Sequence, residues 1–241
     1  MLKFETLTEG PSVYETSLYL SIIFDSPKQT TSIVPHLFPP ESDPKYPASF
    51  RSTSKRLQPS IHSVFCSLLH HLVTYYPSQG QYYQHLHSID KFVLPRESAA
   101  FTWFACVTKC LRTRNYAKLA TLTQKSSVLE MISQASKTSH ARSVNATLGL
   151  DALLYLLDTL RQKAAETTWN VFRSAYREFS LDRTAEGTKL WLVRSLSLES
   201  VYGDDRSLEP NEWAESKVSV GHVRKKEGVE DRWVICKVTV R

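Results

Sequence analysis

From Ser60 onward, apolar side chains recur at Ile61, Val64, Phe65, Leu68, Leu69, Leu72 and Val73. Steps of three and four residues follow the turn of an α-helix and stripe one face of it, so this segment can bury its apolar surface only by packing as a helix. Ser60 has the hydroxyl that an N-cap needs. The same pattern, less regular, runs through most of the chain. Ser12 to Phe24 follows Pro11 with apolar positions about a turn apart, and Gln29 to Leu37 forms a shorter helix. Beyond Pro77 to Gly80, helices are expected over Tyr82 to Val93 and Arg96 to Leu111, parted by Pro95. Tyr116 to Gln124, Val128 to Ala135, Thr138 to Leu160 and Lys163 to Phe179 continue the series, with a kink or break expected near Gly149. Short links favour antiparallel neighbours, which suits a helical-hairpin array although no repeat is legible in the letters. Residues 38–59, rich in proline, serine and charge, read as a loop or mobile insertion.

The character changes after Asp182 to Gly187. Lys189 to Leu198 reads as a helix, and Glu209 to Glu215 as a second with Pro210 in its first turn. Strands then follow: Val218, Val220 and His222 alternate, Gly228 supplies a turn, and Trp233 to Val240 alternates again. Helix, helix, hairpin is the order of the second half of a winged helix. The expected architecture is therefore mainly α, with a right-handed helical-hairpin array over residues 1–182 and a C-terminal winged helix with a β-hairpin over residues 183–241. Trp191, Leu192, Leu196 and Trp213 are its expected packing residues, and Arg173 and Tyr176 are expected to matter for folding or assembly.

Composition narrows the chemistry. The 241 residues include only 7 glycines and neither a G-x-x-x-x-G-K-[ST] nor a G-x-G-x-x-G string, so no backbone cradle for nucleotide phosphates is expected. The four cysteines, Cys66, Cys106, Cys110 and Cys236, form no C-x-x-C pair and lack histidines at zinc-finger spacing, which points to a reduced, intracellular chain. Cys106 and Cys110 share a helical face but lack further ligands, so structural burial is expected, and neither a metal nor another cofactor is called for. His62, His70, His71, His85 and His87 are accompanied by no nucleophile elbow, H-E-x-x-H string or paired acidic motif. They read as surface or hydrogen-bonded histidines, and an enzyme is not expected. Tyr75-Tyr76 and Tyr82-Tyr83 read as packing at a helical-hairpin turn, with a protein interface as the other reading. Met1 to Gly10 has no apolar core of signal-peptide length, and Leu148 to Leu157, interrupted by Asp151, is short of a membrane span. Secretion and membrane insertion are disfavoured.

The net charge of +6 is concentrated near the C-terminus, where Lys217, Arg224, Lys225, Lys226, Arg232, Lys237 and Arg241 outnumber Glu227, Glu230 and Asp231. Three consecutive cations, Arg224, Lys225 and Lys226, beside a glycine-containing turn could meet phosphates by counterion release, with little base readout. Arg224, Lys225, Lys226, Arg232 and Lys237 are the candidate nucleic-acid contacts, for RNA or DNA alike. A solvated charged turn is the other reading of the same residues.

Three landmarks occur in order: Arg114-Asn115-Tyr116-Ala117-Lys118-Leu119, His140-Ala141-Arg142, and Trp169 to Tyr176, which contains Arg173-Ser174-Ala175-Tyr176. Their order resembles that of the GANP family, also called the leucine-permease transcriptional regulator family, whose members carry an Asn-aromatic turn, a His-x-x-Arg-like helix and an Arg-x-x-Ala-Tyr helix before a winged helix. The resemblance spans roughly Pro95 to Arg241, and more weakly Val13 to Pro39. It implies structural roles for Asn115, Tyr116, Leu119, His140, Arg142, Arg173, Ala175 and Tyr176. It also implies a non-enzymatic scaffold in nuclear mRNA export or its coupling to transcription, with protein subunits of a nuclear complex as partners. The implied location is the nucleus, with the cytoplasm as a second site. The arginine-rich segment expected near the start of the family's domain has no counterpart here, so Met1 is expected to fall midway through the usual domain, through divergence or a shortened gene model. The competing expectations are a scaffold of proteasome-lid, signalosome or initiation-factor type and a self-standing nucleic-acid-binding winged helix.

Overall fold

The computed structural model describes residues 10–39, 59–138, 145–202, 207–229 and 231–236. Among these are ten helices and one small antiparallel sheet, so the chain is mainly helical. The chain divides into two compact units, residues 1–104 with 130–157 and residues 105–129 with 158–241. Of the expected loop over residues 38–59, only 38, 39 and 59 are described.

In the first unit, α1 (Gly10–Ile23) and α2 (Pro27–Leu37) lie beside α3 (Ile61–Thr74), followed by α4 (Gly80–Ser88). The amphipathic spacing predicts one buried face for α3, yet its polar side is buried too, including His62, Ser63, Ser67 and His70. Local hydrogen bonds make that possible. Ser60 Oγ caps the helix by accepting from the Ser63 amide at 3.3 Å, and Tyr19 Oη meets Ser60 Oγ at 2.9 Å and Ser63 Oγ at 2.8 Å. Buried hydroxyls that find partners in this way avoid most of the desolvation penalty. α4 ends at Ser88, well short of the expected Val93. Ile89 at its end is extended, and the Asp90 carboxylate accepts from the Phe92 amide at 2.9 Å, a turn that competes with helix.

The remaining helices are α5 (Ala99–Thr113), α6 (Tyr116–Leu122), α7 (Lys125–Thr138) and α8 (Ala146–Ala175). Two helices were expected where α8 is continuous, because nothing between Leu160 and Lys163 interrupts a helix. Gly149, the expected kink, sits in the first turn of α8. A Cβ there would lie 2.9 Å from His62 Cβ and 3.1 Å from Tyr19 Cζ, so glycine permits a close approach within the first unit.

The second unit continues from the C-terminal half of α8 into β1 (Glu178–Ser180), α9 (Glu186–Ser195), α10 (Pro210–Ser219), β2 (Val223–Lys225) and β3 (Arg232–Ile235). The strands order β1-β3-β2, with Phe179 opposite Trp233 and Lys225 also opposite Trp233. Trp169, Phe172, Phe179, Leu192, Trp213 and Trp233 form the centre of its buried core. The expected division at residue 182 falls inside this unit, since β1 pairs with β3. Two local expectations are overturned. Phe179 lies in β1 rather than a helix, and Val218 belongs to the last turn of α10 rather than a strand. Pro210 and the Glu209 amide, which donates to Glu212 Oε2 at 3.4 Å, start α10, and its helical bonding continues until Gly221 turns the chain.

Candidate nucleic-acid interface

The hairpin of β2 and β3 is built by alternation. Val223 and Ile235 face each other in the core, Arg224 and Val234 point to the opposite face, and Lys225 meets buried Trp233. Lys226 closes the hairpin, its amide donating to the Arg232 carbonyl at 2.9 Å. Gly228 (φ 74°) and Asp231 (φ 52°) take the left-handed conformations that the turn requires.

The expected cations are not presented as a bare row. Lys225 Nζ lies 3.1 Å from Glu215 Oε1 on α10 and 5.1 Å from the centre of the Trp233 ring. Lys226 Nζ lies 2.8 Å from Glu178 Oε2, and Arg232 Nη1 lies 3.8 Å from Glu178 Oε1, on the adjoining strand β1. The hydrogen bond from Lys226, and then the charges of Lys226 and Arg232, hold the Glu178 carboxyl below the usual carboxylate range. Arg224 is exposed and has no ion-pair partner among the described residues. Lys237 lies outside the described residues. Pairs this exposed are screened by solvent and contribute little, so a phosphate could displace the carboxylates at small cost. Sequence reasoning missed Glu178 and Glu215, since neither lies near its cationic partner in sequence.

The residues implied by the resemblance fall into local roles. Asn115 Oδ1 caps α6 by accepting from the Lys118 amide at 3.1 Å, while Tyr116 and Leu119 are buried. The left-handed residue at this junction is Arg114 (φ 55°), and the Asn115 amide closes the end of α5 onto the Cys110 carbonyl at 2.9 Å. Arg173 Nη2 donates to the Cys236 carbonyl at 3.1 Å, and its guanidinium lies 5.7 Å from the centre of the Trp169 ring. This ties α8 to the strand end. Ala175 is exposed. Tyr176 is 54% exposed and stacks on buried Phe172 at 4.8 Å. The reason is the end of α8 at Ala175, which carries the tyrosine off the helical face. Trp191, expected to be buried, is 44% exposed beside Phe172, whereas Leu192, Leu196 and Trp213 are buried. His140 and Arg142 lie outside the described residues.

Elsewhere, Cys110 is buried and Cys106 half-buried. His70, His71 and His85 cluster in the first unit, with ring centres 5.7 Å apart for His70 and His71 and 4.7 Å apart for His71 and His85. Thr31 Oγ1 meets His70 Nε2 and Ser67 Oγ meets His85 Nε2, each at 2.9 Å. Burial, and then the neighbouring imidazoles, push His70 down to about 4 and His85 down to about 3. Among the described residues no group of His, Cys, Asp and Glu is arranged to hold a metal ion, and no helix is long and apolar enough to cross a membrane. Comparison of the chain with family models, curated proteins and solved structures gives no match.

Proposed function

We propose that this chain is a non-enzymatic scaffold subunit of the GANP type, acting in nuclear mRNA export or its coupling to transcription. In this reading the helices position protein partners, and the C-terminal elements form a winged helix. One observation carries it: helix, strand, two helices and a hairpin follow one another from α8 to β3, and the first strand closes onto the last in the order β1-β3-β2. α9 and α10 lie between the first two strands in sequence, and on this reading the β2–β3 hairpin would be the wing. The helical-hairpin array, the nuclear location and the protein partners rest on the resemblance of Asn115-Tyr116 and of Arg173 to Tyr176. RNA or DNA would meet the wing through Arg224 first, with Lys225, Lys226 and Arg232 released from their carboxylates.

The paired state of those three cations favours a second reading. In a scaffold of proteasome-lid, signalosome or initiation-factor type, the wing docks protein and nucleic acid is incidental. Sedimentation of the endogenous chain in a nuclear extract tests what both readings share. Migration with a large, nuclease-resistant assembly is expected, and a monomer that carries all of the protein would refute a scaffold role.

A further inference from the structure

The first unit holds a pocket of about 240 Å³ that carries cations and, among its described lining residues, no acid. α4 supplies Tyr83, Leu86 and His87, which the three-and-four spacing of a helix sets on one side. The connection to α5 supplies Lys91 and Arg96, and Phe101 in the first turn of α5 completes the wall. Ile89 and Leu94, both buried, add apolar lining. Local hydrogen bonds hold the connection in shape. The Val93 and Leu94 amides donate to the Asp90 carbonyl at 3.0 and 3.1 Å, the Phe92 amide donates to Asp90 Oδ1, and the Phe101 amide donates to Ser98 Oγ at 3.2 Å. The pocket is thus formed before any ligand arrives, as small-molecule sites usually are.

Lys91 and Arg96 are exposed, and neither has a carboxylate partner among the described residues. Their acidic sequence neighbours, Asp90 and Glu97, do not line the pocket. Two unneutralised charges therefore stand at an apolar recess. A cleft lined by one sign of charge, with walls of low dielectric, focuses its field and draws in the opposite charge. Arg96 can offer a carboxylate or phosphate two parallel donors, and Lys91 a mobile point charge. Leu86 and Phe101 gain only from an apolar body, and a volume below the roughly 300–1,000 Å³ of drug-sized sites keeps that body small. We infer that this pocket binds a small amphipathic anion, a carboxylate or a phosphate ester carried on one aromatic ring or a short alkyl chain. The headgroup meets Lys91 and Arg96, and the body lies against Leu86 and Phe101. The inference does not depend on the scaffold reading.

The test is titration of the full 241-residue chain with phenylacetate and phenyl phosphate at constant ionic strength, followed by calorimetry and ligand-observed NMR. 2-Phenylethanol, which has the body without the charge, and acetate and inorganic phosphate, which have the charge without the body, are the controls. Saturable binding of at least one aryl anion is expected, about tenfold or more tighter than any control, because a charge-assisted contact is stronger than a neutral one and a bare anion gains nothing from the apolar wall. The two aryl anions distinguish a carboxylate site from a phosphate site. Reversing Lys91 and Arg96 to glutamate together should abolish binding and leave the melting curve unchanged, since both side chains are exposed. Leu86→Trp should abolish it by filling the pocket, and the charge reversal carries the test if that variant does not fold. No saturable binding of either aryl anion, equal binding of any control, or unchanged affinity in either folded variant would overturn the assignment.

Discussion

Replacing Gly149 with alanine should destabilise the protein, although helix propensity alone predicts the opposite. In an ordinary helix position the change gains about 0.5–1 kcal/mol, because glycine loses more backbone freedom on folding. Here the new methyl group would sit 2.9 Å from His62 Cβ, 3.2 Å from His62 Cγ and 3.1 Å from Tyr19 Cζ. Neither neighbour can swing aside easily. His62 Cβ is fixed to the α3 backbone, and the Tyr19 ring is held by hydrogen bonds of its hydroxyl to Ser60 and Ser63. Overpacking of this kind costs about 1–3 kcal/mol, so the net loss should be about 1–2 kcal/mol. Gly187, in the first turn of α9, has nothing within 4 Å of its would-be Cβ and serves as the control, where alanine should be neutral or gain up to about 0.5 kcal/mol. Urea unfolding followed by far-ultraviolet circular dichroism would give both midpoints. A Gly149→Ala variant at least as stable as the parent would refute the close packing of α8 on α3 and α1.

Other perturbations test separate parts of the account. Phe172→Ala should cost about 3–5 kcal/mol and Tyr176→Ala less than about 1 kcal/mol, since only the phenylalanine is buried; equal losses of melting temperature would contradict that geometry. Because burial holds His70 and His85 neutral, with folded values of about 4 and about 3, the unfolded chain binds more protons between those values and about 6.5. Stability should therefore be full above pH 6.5 and fall by several kcal/mol, to order of magnitude, as the pH drops toward 4. A urea midpoint that stays constant between pH 7.5 and 5 would exclude this. Reversing Arg224, Lys225 and Lys226 to glutamate should weaken binding of labelled single-stranded RNA and flatten its salt dependence without altering the melting curve. An unchanged slope in the folded variant would leave the β2–β3 hairpin to protein docking or solvent.

The legible parts of the sequence were those in which one local signal decides the conformation. The three-and-four spacing after Ser60 located α3, Pro210 located the start of α10, and Asn115 was recognisable as a residue fit for a cap. The errors arose where distant contacts decide. Val218 and Val220 alternate as a strand would, but the helix begun at Pro210 carries through Val218 before the chain turns. β1 spans Glu178 to Ser180, too short for a period to show, and it forms only because β3 returns beside it. The cationic run was plain in the letters. Its carboxylate partners were not, because Glu178 and Glu215 reach Lys226 and Lys225 through the sheet and α10. Trp191 reads as a packing aromatic and Tyr176 as a residue that matters for folding or assembly, yet only the place where α8 stops and the way α9 faces decide their exposure.

Purification of the endogenous protein under native conditions, with identification of the proteins that accompany it, tests the central claim most directly. Subunits of the nuclear mRNA-export machinery, retained after nuclease treatment and lost when the core residue Trp213 is replaced by alanine, are the predicted result. Recovery of the chain with no stoichiometric protein partner would contradict the scaffold assignment, and recovery with proteasome, signalosome or initiation-factor subunits would contradict its placement in mRNA export.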